Sequence, residues 1–269
     1  MDGRGGGGGP GDPGDGRRDR PAEGDSSGPD LFPSTGAAVG FWMHLTRHDA
    51  ARVAALLDHP GGARAGRARL YEAWENEDWD DERRDDERWD SEWRDGERWD
   101  DTVRCAAASY GTGGDSAPRL PILESAHVHR AWQALHILLT GADPYDEEAV
   151  APVGDPAWNA VLGGARITRD GDDRNAGAWE DLLLLMPDEV AAVDGFLRAL
   201  DRDELIRRRH PFLREVGPYS FSGWTMGSGR GAETGDMVQS GVLANAFDTL
   251  RGFYVRAAAA GNVVVKNIG

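Results

Sequence analysis

Three histidines close together, His127, His129 and His136, are the first residues whose type could do chemistry. Neutral imidazole binds zinc and moves protons near neutral pH. Their spacing argues against a shared ion. On a helix, His127 and His129 lie about 200° apart, on opposite sides, and His129 stands two turns from His136. No His-x-x-x-His pair occurs in this stretch. His136 follows Trp132 by four residues, which places it at the border of a core or a cleft. The acids Asp143, Asp146, Glu147 and Glu148 resemble a hard-cation cluster but lack the twelve-residue calcium-loop spacing and its glycine. Asp170-Gly171-Asp172-Asp173 shares that weakness. Gly227-Ser228-Gly229-Arg230-Gly231 is not followed by Lys-Ser/Thr and is read as a loop rather than a phosphate cradle. Ser220, Ser222 and Ser228 sit in no Gly-x-Ser-x-Gly elbow. Nothing in the sequence links them to His210 or His136 as a triad. Cys105 is the only cysteine, so an intrachain disulfide and a thiolate zinc cluster are excluded. The sequence thus calls for no metal and no cofactor, and no catalytic residue is named by a motif.

One constellation remains. His136, Thr140, Asp143 and Trp158 fall at or just beyond helix ends joined by a short loop, and Tyr219 lies in a Gly-Pro turn. Polar and aromatic side chains gathered at such ends can form a ligand pocket. The alternative is that Trp132 and Trp158 are core, and that His136 and Thr140 satisfy local backbone groups.

The elements that must position these residues follow from periodicity. Residues 37–45 are apolar on both faces and suit a strand buried on both sides. Thr46 offers an N-cap with Asp49 at the capping-box position, and Val53, Leu56 and Leu57 line one face of the next helix. A helix is expected over about Glu124 to Thr140, with Val128, Trp132, Leu135 and Leu139 on one face and Gly141 as its stop. A short helix spans about Ala157 to Leu162. Leu182 to Met186 is a buried strand, and Pro187 opens a helix carrying Val190, Val193, Leu197 and Leu200. Asp201 and Glu204 start another short helix ending in Arg207-Arg208-Arg209. Residues 217–221 read as extended and 227–235 as a loop. Leu243, Phe247, Leu250, Tyr254 and Ala257 mark a long amphipathic helix, and residues 263–268 the last strand.

Composition bounds the partners. The net charge is −17, with 47 acidic and 30 basic residues. Nucleic acid and anionic membrane, both bound mainly through Lys and Arg, are therefore poor partners, and a basic protein is a better one. Among the basic residues Lys266 alone is lysine; the preference for arginine reads as the coding bias of a GC-rich genome. The N-terminus lacks the apolar segment of a secretory signal, and no apolar run approaches the roughly 20 residues that span a bilayer. The expected compartment is the cytoplasm.

Two regions depart from a folded core. Residues 1–36, rich in Gly, Pro and Asp, hold too little apolar surface to offset the entropy of folding and are expected to be disordered. Residues 61–119 read as an insertion and linker. Within them, residues 76–100 form a tandem pentapeptide array with 13 acids and 5 arginines. A period of five turns successive tryptophans, ten residues apart, by about 80° on a helix, so they form no core stripe. Trp79, Trp89, Trp93 and Trp99 are the candidates for docking a partner; the alternative is an expanded repeat without function. Residues 37–60 plus 120–269 remain as one domain.

Several short pieces, taken in order, carry a resemblance. They are Gly40-Phe41, Trp132, Leu135-His136, Leu139-Thr140-Gly141, Asp155-Pro156, Ala160-Val161-Leu162-Gly163, Val190, Leu200-Asp201, Glu204-Leu205, Pro218, Leu250, Phe253-Tyr254, Ala260-Gly261-Asn262 and the closing Val-rich strand. Over residues 38–57 and 130–269 the chain resembles the bacterial YfbM-like family. The N-terminal 36 residues and the block from about 61 to 119 have no counterpart in its compact members. The resemblance implies an α+β domain, a small sheet holding the first and last strands and packed by several amphipathic helices. It brings no catalytic residue with it.

The functional expectation is a non-enzymatic adaptor or immunity-type module that binds a basic partner through its acidic surface. The alternative is a small-molecule binder or enzyme using a cleft near His136.

Overall fold

A computed structural model describes residues 42–76, 119–146, 152–169, 171, 182–226 and 233–268. The pentapeptide tryptophans Trp79, Trp89, Trp93 and Trp99, residues 1–36, Cys105, Glu147, Glu148 and the run 227–231 lie outside them.

The core is a five-stranded antiparallel sheet in the order β2-β1-β7-β4-β3. Its strands are β1 (Trp42–His48), β2 (Glu124–His129), β3 (Ala165–Ile167), β4 (Leu182–Leu185) and β7 (Val263–Ile268). The first and last strands pair side by side, Leu45 opposite Lys266. The fold is α+β, as the sequence leads one to expect. Successive strand residues point to opposite faces, and here both faces are covered. On one side Leu183, Leu185, Val264 and Ile268 join a large core cluster with Trp132, Phe247 and Tyr254. On the other, Leu182, Leu184, Val263 and Val265 meet Val53, Leu56, Leu70 and Tyr71. This double burial is why Leu182–Leu185 is four leucines and not an alternating strand.

The second layer comes from α1 (Ala50–Leu57) and α2 (Ala63–Glu75). Asp49 caps α1 by accepting from the Arg52 N–H at 2.8 Å. Thr46 is not the cap: β1 runs on to His48, because Thr46 Oγ1 donates to Val265 O within the sheet. Residues 63–75, expected within the insertion, instead form α2, bury Leu70, Tyr71 and Ala73 and belong with the core. Gly66 sets how close α2 comes to α1, since a Cβ there would stand 2.3 Å from Leu57 O.

The larger layer comprises α3 (Trp132–Thr140), α4 (Pro156–Val161), α5 (Pro187–Ala199), α6 (Arg202–Val216) and α7 (Val242–Ala259). The helix expected over Glu124 to Thr140 is instead β2, a turn at Arg130 (φ 40°) and α3. Within 124–129, Ala126 and Val128 alternate with Ser125 and His127, a period of two, and β1 supplies the ladder partners. His127 stacks on His44 across that ladder, ring centroids 4.2 Å apart. The helix beginning at Arg202 is long, not short. It continues through Pro211 to a left-handed Gly217, whose N–H bonds Leu213 O at 2.9 Å. Residues 217–221 make a turn instead of an extended run. Gly217 has φ 62°, Ser220 has φ 54° and Phe221 N–H bonds Pro218 O. Part of the expected loop is a strand: β6 (Glu233–Asp236) pairs with β5 (Ser222–Met226) in a separate two-stranded sheet.

Candidate functional site

The site begins with α3. Every residue from Trp132 to Leu139 is buried, so this helix is core all round and no face of it needs to be polar. His136 nevertheless sits on it, fully buried. Neither ring nitrogen has a hydrogen-bond partner among the described residues. A bare buried imidazole is costly, and a native structure that keeps one calls for an explanation. Burial, and secondarily the Lys266 charge, lower its pKa to about 4, so the ring is neutral at physiological pH.

The end of α3 closes on itself. Thr140 Oγ1 donates to His136 O at 2.7 Å and accepts from the Ala142 N–H at 3.1 Å. Asp143 Oδ1 accepts from the Tyr145 N–H at 3.1 Å. These are local backbone roles, yet they fix the loop that carries Pro144 and Tyr145. Asp155 then caps α4, with Pro156 at its first position, and the helix presents Trp158 and Asn159. The Trp158 ring meets His136 edge-on, centroids 4.5 Å apart.

Between this loop, α4 and the sheet lies a cavity of about 660 Å³. Trp132, Trp158, Pro144, Tyr145 and Pro152 form its apolar wall, with Asn159, Gly163, Arg166 and Glu189 as its polar contributors. Of the five residues singled out in sequence, Trp158 lines the cavity and His136 packs behind it. Thr140 and Asp143 shape its loop without lining it. Tyr219 is elsewhere, its N–H bonded to Gln133 Oε1 at 2.7 Å.

Beneath α4 is a buried polar group that sequence reasoning did not select. Lys266, in the middle of β7, is fully buried. Its Nζ donates to Asn159 O at 2.5 Å and Gly163 O at 2.6 Å. Tyr254 Oη donates to Ala160 O at 3.1 Å and Asn159 O at 3.3 Å. Burial lowers the Lys266 pKa to about 7, with the Glu189 carboxylate opposing the shift, and burial raises that of Tyr254. Gly164 allows the chain to leave this point for β3. Its φ is 117°, and a Cβ there would stand 2.8 Å from Leu184 O. The available signal was a lysine directly after the apolar run Val263-Val264-Val265.

A second pairing was also missed. His210 Nε2 and Asp236 Oδ2 lie 2.7 Å apart, joining α6 to β6. Asp236 Oδ1 accepts from the N–H groups of Gln239 and Val238 at 2.9 and 3.0 Å. Burial alone would raise the Asp236 pKa, but these amides and His210 outweigh it and the net shift is downward. Such a carboxylate orients the imidazole. Among the described residues, no three His, Cys, Asp or Glu side chains gather as a metal site, and no helix is long and apolar enough to cross a membrane.

Known proteins add the family and no activity. The crystal structure of a protein of unknown function, YfbM from Escherichia coli, is similar over 85% of this chain and 99% of that chain, at 20% identity and a TM-score of 0.42. No curated protein matches the chain. Residues 114–266, more than half of the chain, match the family model described as a domain of unknown function (DUF1877), and the chain belongs to that family.

Proposed function

We propose that the domain binds a small molecule in the cavity between Trp132, Trp158 and the loop at Pro144 and Tyr145. The observation that carries this reading is a cavity of about 660 Å³, mostly apolar, backed by the bare imidazole of His136. Ligand sites of this size are typically apolar and aromatic, with a few polar groups that fix orientation. A bound ligand stabilises the native state by mass action. The test is a thermal-shift screen of small aromatic compounds against the full chain and Trp158→Ala. Compounds that raise the melting temperature of the first and not the second support the reading. Compounds that stabilise both equally place binding elsewhere.

A second reading rests on charge. The excess of 17 negative charges and the acidic array at residues 76–100 favour a basic protein partner. Because α2 belongs with the core, the variant that tests it should lack residues 77–118 and no more. A basic protein captured by the full chain, lost on that deletion and released by salt would support docking through the array. Capture that persists in high salt would remove the electrostatic basis of this reading.

A further inference from the structure

We infer that the ligand class of the Trp132/Trp158 cavity is a planar nitrogen heterocycle with a hydrogen-bond donor beside an acceptor, as a nucleobase has, and that the Asn159 carboxamide reads that edge. This rests on the cavity reading and deepens it.

The side-chain amide of Asn159 is the starting point. Asn159 lines the cavity and is 4% exposed. Its backbone carbonyl accepts from Lys266 and Tyr254, but its carboxamide has no hydrogen-bond partner among the described residues. A carboxamide carries two N–H donors and one carbonyl acceptor, and leaving them unmade at this depth costs free energy. Neither amide atom is sealed, in contrast to the ring nitrogens of His136, so the group opens to the cavity that Asn159 lines. An apolar side chain of the same shape would cost less here unless a ligand meets the amide. Gly163 makes room for it, since a Cβ at 163 would collide with Asn159 Oδ1. The charged residues of the lining are placed differently. Glu189 Oε2 accepts from the Met186 N–H at 2.9 Å and so caps α5, and Arg166 is exposed on β3. Asn159 is thus the buried polar side chain that faces a ligand.

A carboxamide is best matched by the complementary couple, a donor and an acceptor side by side. Asparagine reads adenine in this way, through the amino group and the neighbouring ring nitrogen. The apolar wall of Trp132, Trp158 and Tyr145 suits the ring itself, because aromatic side chains hold any flat heterocycle by its face. The two features divide the work. The aromatic wall holds a planar ring, and Asn159 selects the ring by its edge. With a net charge of −17 the chain is a poor binder of nucleic acid, so the heterocycle belongs to a small molecule.

The experiment titrates the full chain with 9-methyladenine and with 6,9-dimethylpurine, which keeps the ring and its acceptors but has no donor. In 1H–15N spectra the indole resonances of Trp132 and Trp158 give the affinities. The side-chain amide resonances of Asn159, assigned by triple-resonance experiments, report on its contact. The expected result is that 9-methyladenine shifts both sets and binds at least roughly tenfold more tightly than 6,9-dimethylpurine, as one bidentate pair would require. Asn159→Leu, which keeps the backbone carbonyl for Lys266 and Tyr254, should bring the two compounds to equal affinity. Equal affinities in the wild type, or 9-methyladenine binding that leaves the Asn159 amide unmoved, would overturn the proposal, and neither observation depends on a variant that folds. Benzyl alcohol separates this outcome from failure of the cavity reading. If neither heterocycle binds while benzyl alcohol moves both indole resonances, the heterocycle falls and the cavity stands. If none of the three compounds moves them, both fall.

Discussion

Lys266 Nζ and Tyr254 Oη donate to the same carbonyl oxygen, that of Asn159, at 2.5 and 3.3 Å. One side chain comes from the middle of the sheet and the other from the longest helix of the layer above it. Between them they fasten α4, and with it Trp158, over the core. Lys266 Nζ also donates to Gly163 O and Tyr254 Oη to Ala160 O, so the position of the cavity wall is tied to two buried polar groups.

The first consequence is a stability that depends on alkaline pH. Lys266 has a folded pKa of about 7, against 10.5 for an unperturbed lysine. Between these values the unfolded chain binds more protons, so stability rises with pH. Urea unfolding of the wild type should gain roughly 1–3 kcal/mol between pH 7 and 9.5, while Lys266→Met should show little of that gain. Measurements stop at pH 9.5 because Tyr254, whose pKa is raised by burial, reverses the trend above it. Equal gains in both proteins would rule out Lys266 as the source.

On the acid side two buried histidines act together. His48 is held by Pro121 O at 3.0 Å and Thr46 Oγ1 at 2.8 Å, and burial lowers its pKa to about 4, as for His136. Their contribution is complete above about pH 6.5 and is lost as pH falls from there towards 4. Unfolding free energy should therefore drop by several kcal/mol across that window, on the order of 3 per histidine at most. His136→Leu should remove part of the drop, and urea titrations at pH 6.5 and 4.5 measure it.

Trp158→Ala removes one wall of the cavity and the ring against His136. Trp158 is only partly buried, so the expected loss is about 2–3 kcal/mol, at the lower end for a large aromatic. Circular dichroism should show the fold retained. A loss under roughly 0.5 kcal/mol, within the range of a neutral surface change, would mean the ring is not packed as described.

Asp236→Asn keeps an oxygen for the backbone amides of Val238 and Gln239 but removes the charge that His210 meets. The pair joins the β5–β6 hairpin to α6, so hydrogen exchange at residues 222–226 and 233–236 should speed up while β7 is unchanged. Global stability should fall by about 1–2 kcal/mol at pH 6. Unchanged hairpin exchange would show that the pair does not hold it.

Much of the frame was legible because whole elements carry one pattern. Leu182–Leu185, Pro187–Ala199, Val242–Ala259 and Val263–Ile268 each match a simple periodicity and stand within a residue or two of where it put them. β2 was hidden because Val128, Trp132, Leu135 and Leu139 happen to keep helical spacing across the turn at Arg130. Nothing local marks that turn, the alternation over 124–129 is short, and the strand is fixed by its partner β1, about eighty residues upstream. At the site, His136 and Trp158 were legible because adjacent helices bring them together. Lys266 was not, since its acceptors lie more than a hundred residues away and a lone lysine in an arginine-rich chain also reads as codon usage. His210 and Asp236 were separated by a glycine-rich stretch whose composition hid β6.

The most direct test of ligand binding in the cavity reads the tryptophans themselves. In a 1H–15N spectrum of the full chain, the indole resonances of Trp132 and Trp158, assigned by single substitution, are followed as an aromatic compound found by thermal shift is added. The expected result is that these two move together and saturate, while those of Trp42 and Trp224, which do not line the cavity, stay in place. Movement of Trp42 or Trp224 with Trp132 and Trp158 unchanged would contradict it and put binding on another face of the protein.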